Sequence, residues 1–545
     1  MRVLLAAAAL LVYAGPLPQE PSQILLVPVD DRAGISFQHE LGEGGLHIAE
    51  SPGSGGAWID YDVDGDLDLV LVNGLPARDS DPADGKGHAL FRNGGGRFAR
   101  APHHVGIEDR VWGGGAAVGD FDNDGFPDVL ITALGADHLY RNNGDGTFSA
   151  TPAGVEDGGW GTSAAFTDWD HDGFLDLYVA RYLAITLTSP RKLCFDQRVE
   201  VFCGPDGREG EADLFYRNDG VGGFERWYVD QIDPAKNPGF AVVATDCDGD
   251  MLPEIYVAND GRVNLLFRRD ADGTPQDDAL FSGTGYSGDG RAQAGMSATA
   301  GDVDGDGVFD LFVTNFQNDH NTLYHNLGDC VFEDTTADYG LAASSLAYMG
   351  WGAQLVDLDG DADEDLVIAN GHIYRELASA GTARYEQPSS LYVNRLRETG
   401  EPGFVEQSQA IPMMASSRAL LKGDYDNDGD ADLLITNLNR QPTLLRNDGT
   451  AQFPTLRLTL IGRTSNRSAY GARIRVLSGG ITQLMELRGT EGYMASNDTR
   501  VLVHLPGGVA DEVEITWPGG GSTLLRDQLP AWLVIDEAHG VIARR

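Results

Sequence analysis

Short apolar runs recur along this chain: Leu69-Val70-Leu71-Val72, Val129-Leu130-Ile131-Thr132, Leu177-Tyr178-Val179-Ala180, Leu311-Phe312-Val313-Thr314, Leu366-Val367-Ile368-Ala369 and Leu433-Leu434-Ile435-Thr436. They are β-branched or aromatic-rich and too short for helices, which predicts buried strands. Small-residue stretches lead into them, as in Gly114-Gly115-Ala116-Ala117-Val118-Gly119 and Ser163-Ala164-Ala165-Phe166-Thr167. A further apolar pair follows, Leu139-Tyr140-Arg141 and Phe148, joined through Asn142-Asn143-Gly144-Asp145-Gly146, with relatives at Leu90 to Phe98, Leu214 to Phe224, Leu323 to Phe332 and Leu444 to Phe453. Asn-Gly and Asp-Gly between apolar runs signal tight hairpins.

Each unit therefore reads as strand, polar loop, strand, connection, strand, tight turn, strand. It recurs with polar loops starting at Asp60, Asp120, Asp168, Asp246, Asp302, Asp357 and Asp424. Sheets repeated radially predict an all-β fold, a seven-bladed β-propeller over residues 34–454, because an open row would leave two end faces uncovered. Beyond residue 455 the polar loops stop. Alternating patterns such as Leu456-Arg457-Leu458-Thr459-Leu460 and Val513-Glu514-Ile515-Thr516-Trp517 predict a C-terminal antiparallel β domain over 455–545, ending on Trp532-Leu533-Val534-Ile535.

The polar loops carry the candidate chemistry. Asp424, Asp426 and Asp428 occupy positions 1, 3 and 5, Gly429 position 6, Asp430 position 7 and Asp432 position 9. Such a loop aims side chains 1, 3 and 5 at one point, adds the carbonyl of residue 7 and closes with residue 9, while glycine permits the sharp turn. An EF-hand has its last acid at position 12 and enters a helix; here a β run follows position 9. The same pattern places Asp60, Asp62, Asp64, Asp66 and Asp68 in the first loop, and Asp120, Asp122, Asp124, Phe126 and Asp128 in the second. Asp168, Asp170, Asp172, Phe174 and Asp176 form the third, and Asp246, Asp248, Asp250 and Glu254 the fourth. Asp302, Asp304, Asp306, Val308 and Asp310 form the fifth, and Asp357, Asp359, Asp361, Asp363 and Asp365 the sixth. The expected cofactor is Ca²⁺, up to seven ions in a structural role. Met251 and Ala362 stand where glycine belongs in the fourth and sixth loops, at a cost of about 1 kcal/mol, so these are the expected weak sites.

Charge agrees with cation binding. The 39 basic and 83 acidic residues leave a net charge of −44, which argues against nucleic acid or an anionic membrane as partner. The first 14 residues read as a secretory signal, with Met1-Arg2, an apolar core and a small residue at Ala14. Residues 15–33 read as a linker and Gly34-Ile35-Ser36-Phe37 as the first strand. The mature protein is expected to be exported, with no membrane span. In that setting Cys194 and Cys203 are expected to form a local disulfide, while the pairing of Cys247 and Cys330 stays open.

The seven D-x-D-x-D-G-x-x-D units resemble the FG-GAP/VCBS repeats of integrin-α-like propellers. Ser465-Asn466-Arg467, Gly471-Ala472-Arg473-Ile474-Arg475-Val476, Arg488-Gly489, Gly492-Tyr493 and Trp517-Pro518-Gly519-Gly520 resemble the ASPIC/UnbV domain. The chain is thus similar to the cartilage-acidic-protein-like family, which implies calcium binding and an adhesion or recognition role toward an extracellular protein or carbohydrate. The alternative is a secreted polysaccharide-active lyase or hydrolase, with His372, Tyr374 and His103 or His104 as its candidates. No Ser-His-Asp signature, Walker loop or HExxH motif supports it. A calcium titration of the metal-free protein is expected to resolve tight and weak classes of site; seven equivalent sites would refute the distinction drawn from Met251 and Ala362.

Overall fold

The computed structural model describes residues 24–40, 47–74, 87–107, 111–228 and 231–545; the signal-like residues 1–14 lie outside them. Among the described residues the repeated units form antiparallel sheets; those of the second and third acidic loops are joined into one eight-stranded sheet where Gly158–Trp160 pairs with Leu134–Ala136, and that of the first gains Ala495–Ser496 as a fifth, parallel strand. Their inner strands are Gly56–Ile59, Gly113–Gly119, Gly158–Thr167, Gly239–Thr245, Gly295–Gly301, Gly350–Val356 and Ser417–Gly423. Each packs on the next in chain order and the last packs on the first, so the sheets close into a propeller ring. Every second strand begins on the position-9 acid of its loop: Asp68, Asp128, Asp176, Glu254, Asp310, Asp365 or Asp432. The apolar runs are buried on both faces because each sheet is covered by two neighbours.

Ring closure corrects one expectation. The stretch expected as a linker supplies Leu26–Pro28, which pairs antiparallel with Thr443–Asn447 and becomes the fourth strand of the seventh sheet. The seventh sheet has only three strands of its own, so the edge at Thr443–Asn447 recruits the N-terminal segment. Residues 34–37 form no strand; Ile35 and Phe37 are buried against the first and seventh sheets instead.

The C-terminal region is a sandwich of two four-stranded sheets. One contains Arg473–Ser478 and Ala510–Thr516, the other Thr455–Ile461 and Trp532–Asp536. The last two run parallel, and Gly540–Arg544 adds a strand past the expected end, so the domain is mixed rather than purely antiparallel. Its core (Leu456, Leu458, Ile474, Val476, Val513, Ile515, Leu533, Ile535) is continuous with Phe166 and Leu175 of the third sheet.

Residues 488–500 of this domain fill the axis of the ring. Ala495–Ser496 pairs parallel with Gly56–Ala57 of the first inner strand. Ser496 Oγ donates to Ala116 O (3.1 Å), Met494 N–H to Ser163 Oγ (3.0 Å) and Gly492 N–H to Ala298 O (2.7 Å). Gln354 Nε2 donates to Glu491 O (3.3 Å) and Lys422 N–H to Asn497 Oδ1 (2.9 Å). The approach is close enough that a Cβ on Gly55 would lie 1.7 Å from Met494 O. The tip, Tyr493, enters an aromatic cluster, 5.0 Å from Trp351 and 5.7 Å from Phe240, and its hydroxyl donates to Pro52 O (3.0 Å). Truncation of Tyr493 to alanine is expected to cost about 3–5 kcal/mol, read by chemical denaturation, with ring and tail still melting in one transition. Two separate transitions in the parent protein would contradict the plugged ring.

Candidate functional site

All seven acidic loops fold alike. The position-1 carboxylate accepts from the backbone of its own loop: Asp64 N–H and Gly65 N–H reach Asp60 (3.0 Å each), and Asp124 N–H and Gly125 N–H reach Asp120 (3.0 and 2.7 Å). This curl needs left-handed backbone at two places. Position 6 is the expected one, and Met251 and Ala362 adopt it without glycine, at φ 72° and 74°. Position 4 also requires it, as Val63, Asn123, His171, Gly249, Gly305, Gly360 and Asn427 all have positive φ. Five of those seven are Gly or Asn, a signal present in the sequence.

The position-9 acid is a clasp. It is buried in every loop, and the N–H of position 2 donates to it throughout: Tyr61 to Asp68 (3.2 Å), Phe121 to Asp128 (3.1 Å), Trp169 to Asp176 (3.1 Å), Cys247 to Glu254 (3.0 Å), Val303 to Asp310 (3.3 Å), Leu358 to Asp365 (3.1 Å) and Tyr425 to Asp432 (3.2 Å). In six loops the other carboxylate oxygen accepts from an asparagine N–H on the third strand, as Asn93 to Asp68 and Asn142 to Asp128 (2.7 Å each). The amide of that asparagine then crosses to the preceding sheet: Asn142 Nδ2 donates to Tyr61 O (2.8 Å), Asn218 to Phe121 O (2.8 Å) and Asn93 to Tyr425 O (2.7 Å). In the fourth sheet Arg269 replaces the asparagine and lies over the Trp169 ring at 4.6 Å.

The residue before the asparagine faces position 3. Arg92 pairs with Asp62 (2.6 Å), Arg141 with Asp122 (2.5 Å), Arg217 with Asp170 (2.5 Å), Arg268 with Asp248 (2.6 Å) and His325 with Asp304 (3.4 Å). Sequence reasoning assigned these side chains only to a hairpin. The C-terminal domain supplies more cations to the same face. Arg473 reaches Asp246 (3.0 Å), His504 reaches Asp357 (2.7 Å), and Arg457 binds Asp424.

These groups can hold a metal. Ligand atoms of Asp60, Asp62 and Asp68 lie within 4.8 Å of one another, as do those of Asp120, Asp122 and Asp128 and of Asp168, Asp170 and Asp172. Buried oxygens without a hydrogen-bond donor remain at Asp62 Oδ1, Asp302 Oδ1, Asp361 Oδ2, Asp363 Oδ1, Asp424 Oδ1, Asp426 Oδ1 and Asp430 Oδ1. An unpaired buried carboxylate oxygen is costly, and an all-oxygen set of this kind fits a hard divalent cation. Without metal, burial pushes Asp68 up to about 8, Asp128 to about 9 and Glu254 to about 9. Asp361 rises to about 10, through burial and then the charges of Asp363, Asp359 and Asp357.

The residues named for an enzyme do not converge. His372 is 3% exposed, its Nδ1 accepts from Tyr374 N–H (3.0 Å), and burial followed by the Arg418 charge lowers it to about 4. It is a neutral packing histidine at the axial cluster. His103 and His104 are exposed on the turn His103–Val105, whose Val105 packs between the first and second sheets.

Both cysteine pairs are disulfides. Cys194–Cys203 closes the hairpin Leu193–Asp196/Val199–Phe202, as expected. Cys247–Cys330 ties the fourth loop to the outer hairpin of the fifth sheet. Cys247 stands at the loop position where Tyr61 and Phe121 meet Phe148 and Phe224 of the following sheet, while Phe332 keeps the partner position in the fifth sheet.

Residues 60–131, 120–179, 246–313 and 302–368 match the family model of the FG-GAP-like repeat, and residues 462–536 match that of ASPIC and UnbV. Cartilage acidic protein 1 of Homo sapiens is 23% identical over 347 residues, covering 52% of this chain and 50% of that protein. The Mus musculus protein is also 23% identical, with 52% of each covered. The chain thus spans about half the length of the curated relatives it matches. Among solved structures, an Agrocybe aegerita lectin described as recognising non-reducing terminal N-acetylglucosamine is 16% identical at a TM-score of 0.38, covering 66% of this chain and 88% of that one. The exotype rhamnogalacturonan lyase YesX is 9% identical at 0.30, covering 76% and 91%.

The raised carboxyls set a pH dependence. The folded metal-free chain holds protons that the unfolded chain has released above about pH 4, so their stabilising contribution is lost as pH rises through 8 and 9. In excess chelator the melting temperature is expected to fall between pH 5 and pH 8. With saturating calcium that fall is expected to vanish. A chelated melting temperature that climbs over this interval would contradict the assignment of these groups.

Proposed function

We propose that this chain, which carries FG-GAP-like repeats and an ASPIC/UnbV domain, is a calcium-stabilised recognition module that acts outside the cell. The observation that carries the reading is the set of buried loop oxygens with no protein donor. Ca²⁺ ligates those oxygens in the first, fifth, sixth and seventh loops, and in every loop it offsets the repulsion among the acids and fixes the hairpin between the first and second strands. Extracellular calcium modules bind at roughly 10⁻⁴–10⁻³ M, a range suited to a structural ion. Each site filled at one hundred times its Kd adds about 2.7 kcal/mol of stability. The two disulfides accord with an oxidising compartment.

Recognition falls to surfaces that the chain leaves uncovered. The C-terminal domain lies on the acidic-loop face and residues 488–500 occupy the axis. The opposite face and the rim remain for an extracellular protein or carbohydrate. On that face the disulfide-closed hairpin presents Phe195, 73% exposed, and Leu193. This reading assigns no catalytic residue. Among the described residues no helix is long and apolar enough to cross a membrane.

Two measurements test the proposal. Calorimetry in excess chelator is expected to show a steep drop in melting temperature that added calcium reverses; an unchanged melt would refute the structural role of calcium. Protein and glycan arrays with and without calcium are expected to give calcium-dependent hits that Phe195→Ala weakens at least tenfold without altering the melt. An array blank under both conditions would refute recognition.

A further inference from the structure

Position 8 of the acidic loops lies outside the ligand set of positions 1, 3, 5, 7 and 9. Six of the seven loops fill it with an apolar residue: Leu67, Pro127, Leu175, Pro253, Phe309 or Ala431. The sixth loop has Glu364 there. Among the described residues no donor reaches its Oε2, which is buried. The carboxylate lies against the end of the fifth inner strand, where a Cβ on Gly301 would stand 2.0 Å from Oε2. A buried carboxylate oxygen with no donor is costly, so this one calls for a cation that the fold itself does not supply.

Glu364 lines a chamber of about 170 Å³ between the ring and the C-terminal domain. Leu355 forms an apolar wall on the ring side, and Leu484 and Leu502 form one on the other. Side chains alternate along a strand. Met485 and Val501 turn into the sandwich core, so their neighbours Leu484 and Leu502 turn toward the ring, where both stay part-exposed. A cavity of about 150 Å³ with apolar walls takes up benzene, so this chamber admits a compact organic group. It adjoins a cleft of about 430 Å³ beside Arg473 and Arg475, with Thr482 and Leu484 lining both, which gives a route inward.

The cations of the chamber wall are already committed. Lys422 Nζ pairs with Glu491 (2.5 Å) and donates to Leu355 O (2.8 Å). Arg488 pairs with Glu486 (2.7 Å) and Glu491 (3.4 Å) and donates to Ala300 O (2.6 Å). Arg500 is held by Asp498 (2.8 Å), His504 by Asp357 (2.7 Å), and Arg397 donates to Ala362 O (2.7 Å). Glu364, Glu486 and Glu491 thus face Lys422 and Arg488, and Glu364 is the acid left over. One added positive charge balances the set. Leucine walls disfavour a hydrated metal ion and suit a cation that carries its own apolar surface.

We propose that this chamber binds a small organic cation, a primary ammonium on a compact apolar body, with Glu364 as its anionic partner. The ammonium donates to the Glu364 carboxylate, and the apolar body packs between Leu355, Leu484 and Leu502. The chamber lies on the face that the C-terminal domain covers, so this binding stands apart from recognition on the open face.

The test is calorimetric titration of the full mature chain with benzylamine, which is protonated at neutral pH, in saturating calcium so that the loop acids are occupied. One equivalent is expected to bind. Benzyl alcohol, of nearly the same shape but uncharged, is expected to bind about tenfold more weakly or worse. Glu364→Gln, which keeps the shape and removes the charge, and Glu364→Leu, which installs the residue of the first and third loops, are each expected to lose benzylamine to the same extent while calcium binding is unchanged. No saturable benzylamine binding, benzyl alcohol bound as tightly as benzylamine, or undiminished binding in either folded variant would overturn the proposal. The comparison of the two probes needs no variant to fold.

Discussion

One buried carboxylate per sheet carries the architecture. The acid at position 9 starts the second strand, receives the N–H of the loop that leaves the first, and in six sheets receives another from the third. Backbone donors hold each of these carboxyls in place, yet in the metal-free chain they do not outweigh burial, which raises Asp68, Asp128 and Glu254 well above the usual carboxylate range. Removing the group would therefore unhook three strands of a four-stranded sheet together. The asparagine that completes the clasp also reaches the sheet before it, so the loops form a hydrogen-bonded circuit around the ring. The circuit changes character at the third and fourth sheets, where Arg269 stacks on Trp169.

A ring of sheets leaves its axis empty unless something fills it, and here the second domain does. Residues 455–545 contain ten arginines, no lysine and nine acids, against a chain of net charge −44. That contrast places Arg457, Arg473 and Arg500 on the most acidic face of the ring. Interfacial charge contacts of this kind fix register, while burial of Tyr493 and Met494 among aromatic rings supplies apolar area. The domains therefore share partners at Asp246, Asp357 and Asp424, and anything that neutralises those loops also alters how the tail is held.

The repeat was legible in the chain because its chemistry is local: acids at alternate positions, a glycine and a short apolar run all lie within one loop and its following strand. Domain order and the Cys194–Cys203 disulfide were legible for the same reason. What escaped was pairing at long range. Leu26–Pro28 joins a sheet over 400 residues away, and its three residues carry no pattern that names that partner. Arg92, Arg141 and their relatives sit in a visible motif, yet their partner is set by a fold that brings the third strand beside the loop. The passage of residues 488–500 into the axis had even less signal, since Gly489, Gly492 and Ser496 look like turn residues until the ring surrounds them. His372 shows the opposite case, a conspicuous polar residue among small ones that packing simply buries.

The order of synthesis gives the N-terminal strand a further meaning. Leu26–Pro28 leaves the ribosome first among the described strands, yet its partner Thr443–Asn447 is among the last of the ring. Pairing at that separation has a high contact order and is slow. For most of translation the nascent chain is an arc with two open ends, and the segment that occupies its axis is made only after the arc is complete. Its early sheets must wait with apolar inner strands uncovered, a state prone to aggregation. The unfinished arc, and not only the finished ring, is therefore a state whose uncovered strands need shielding.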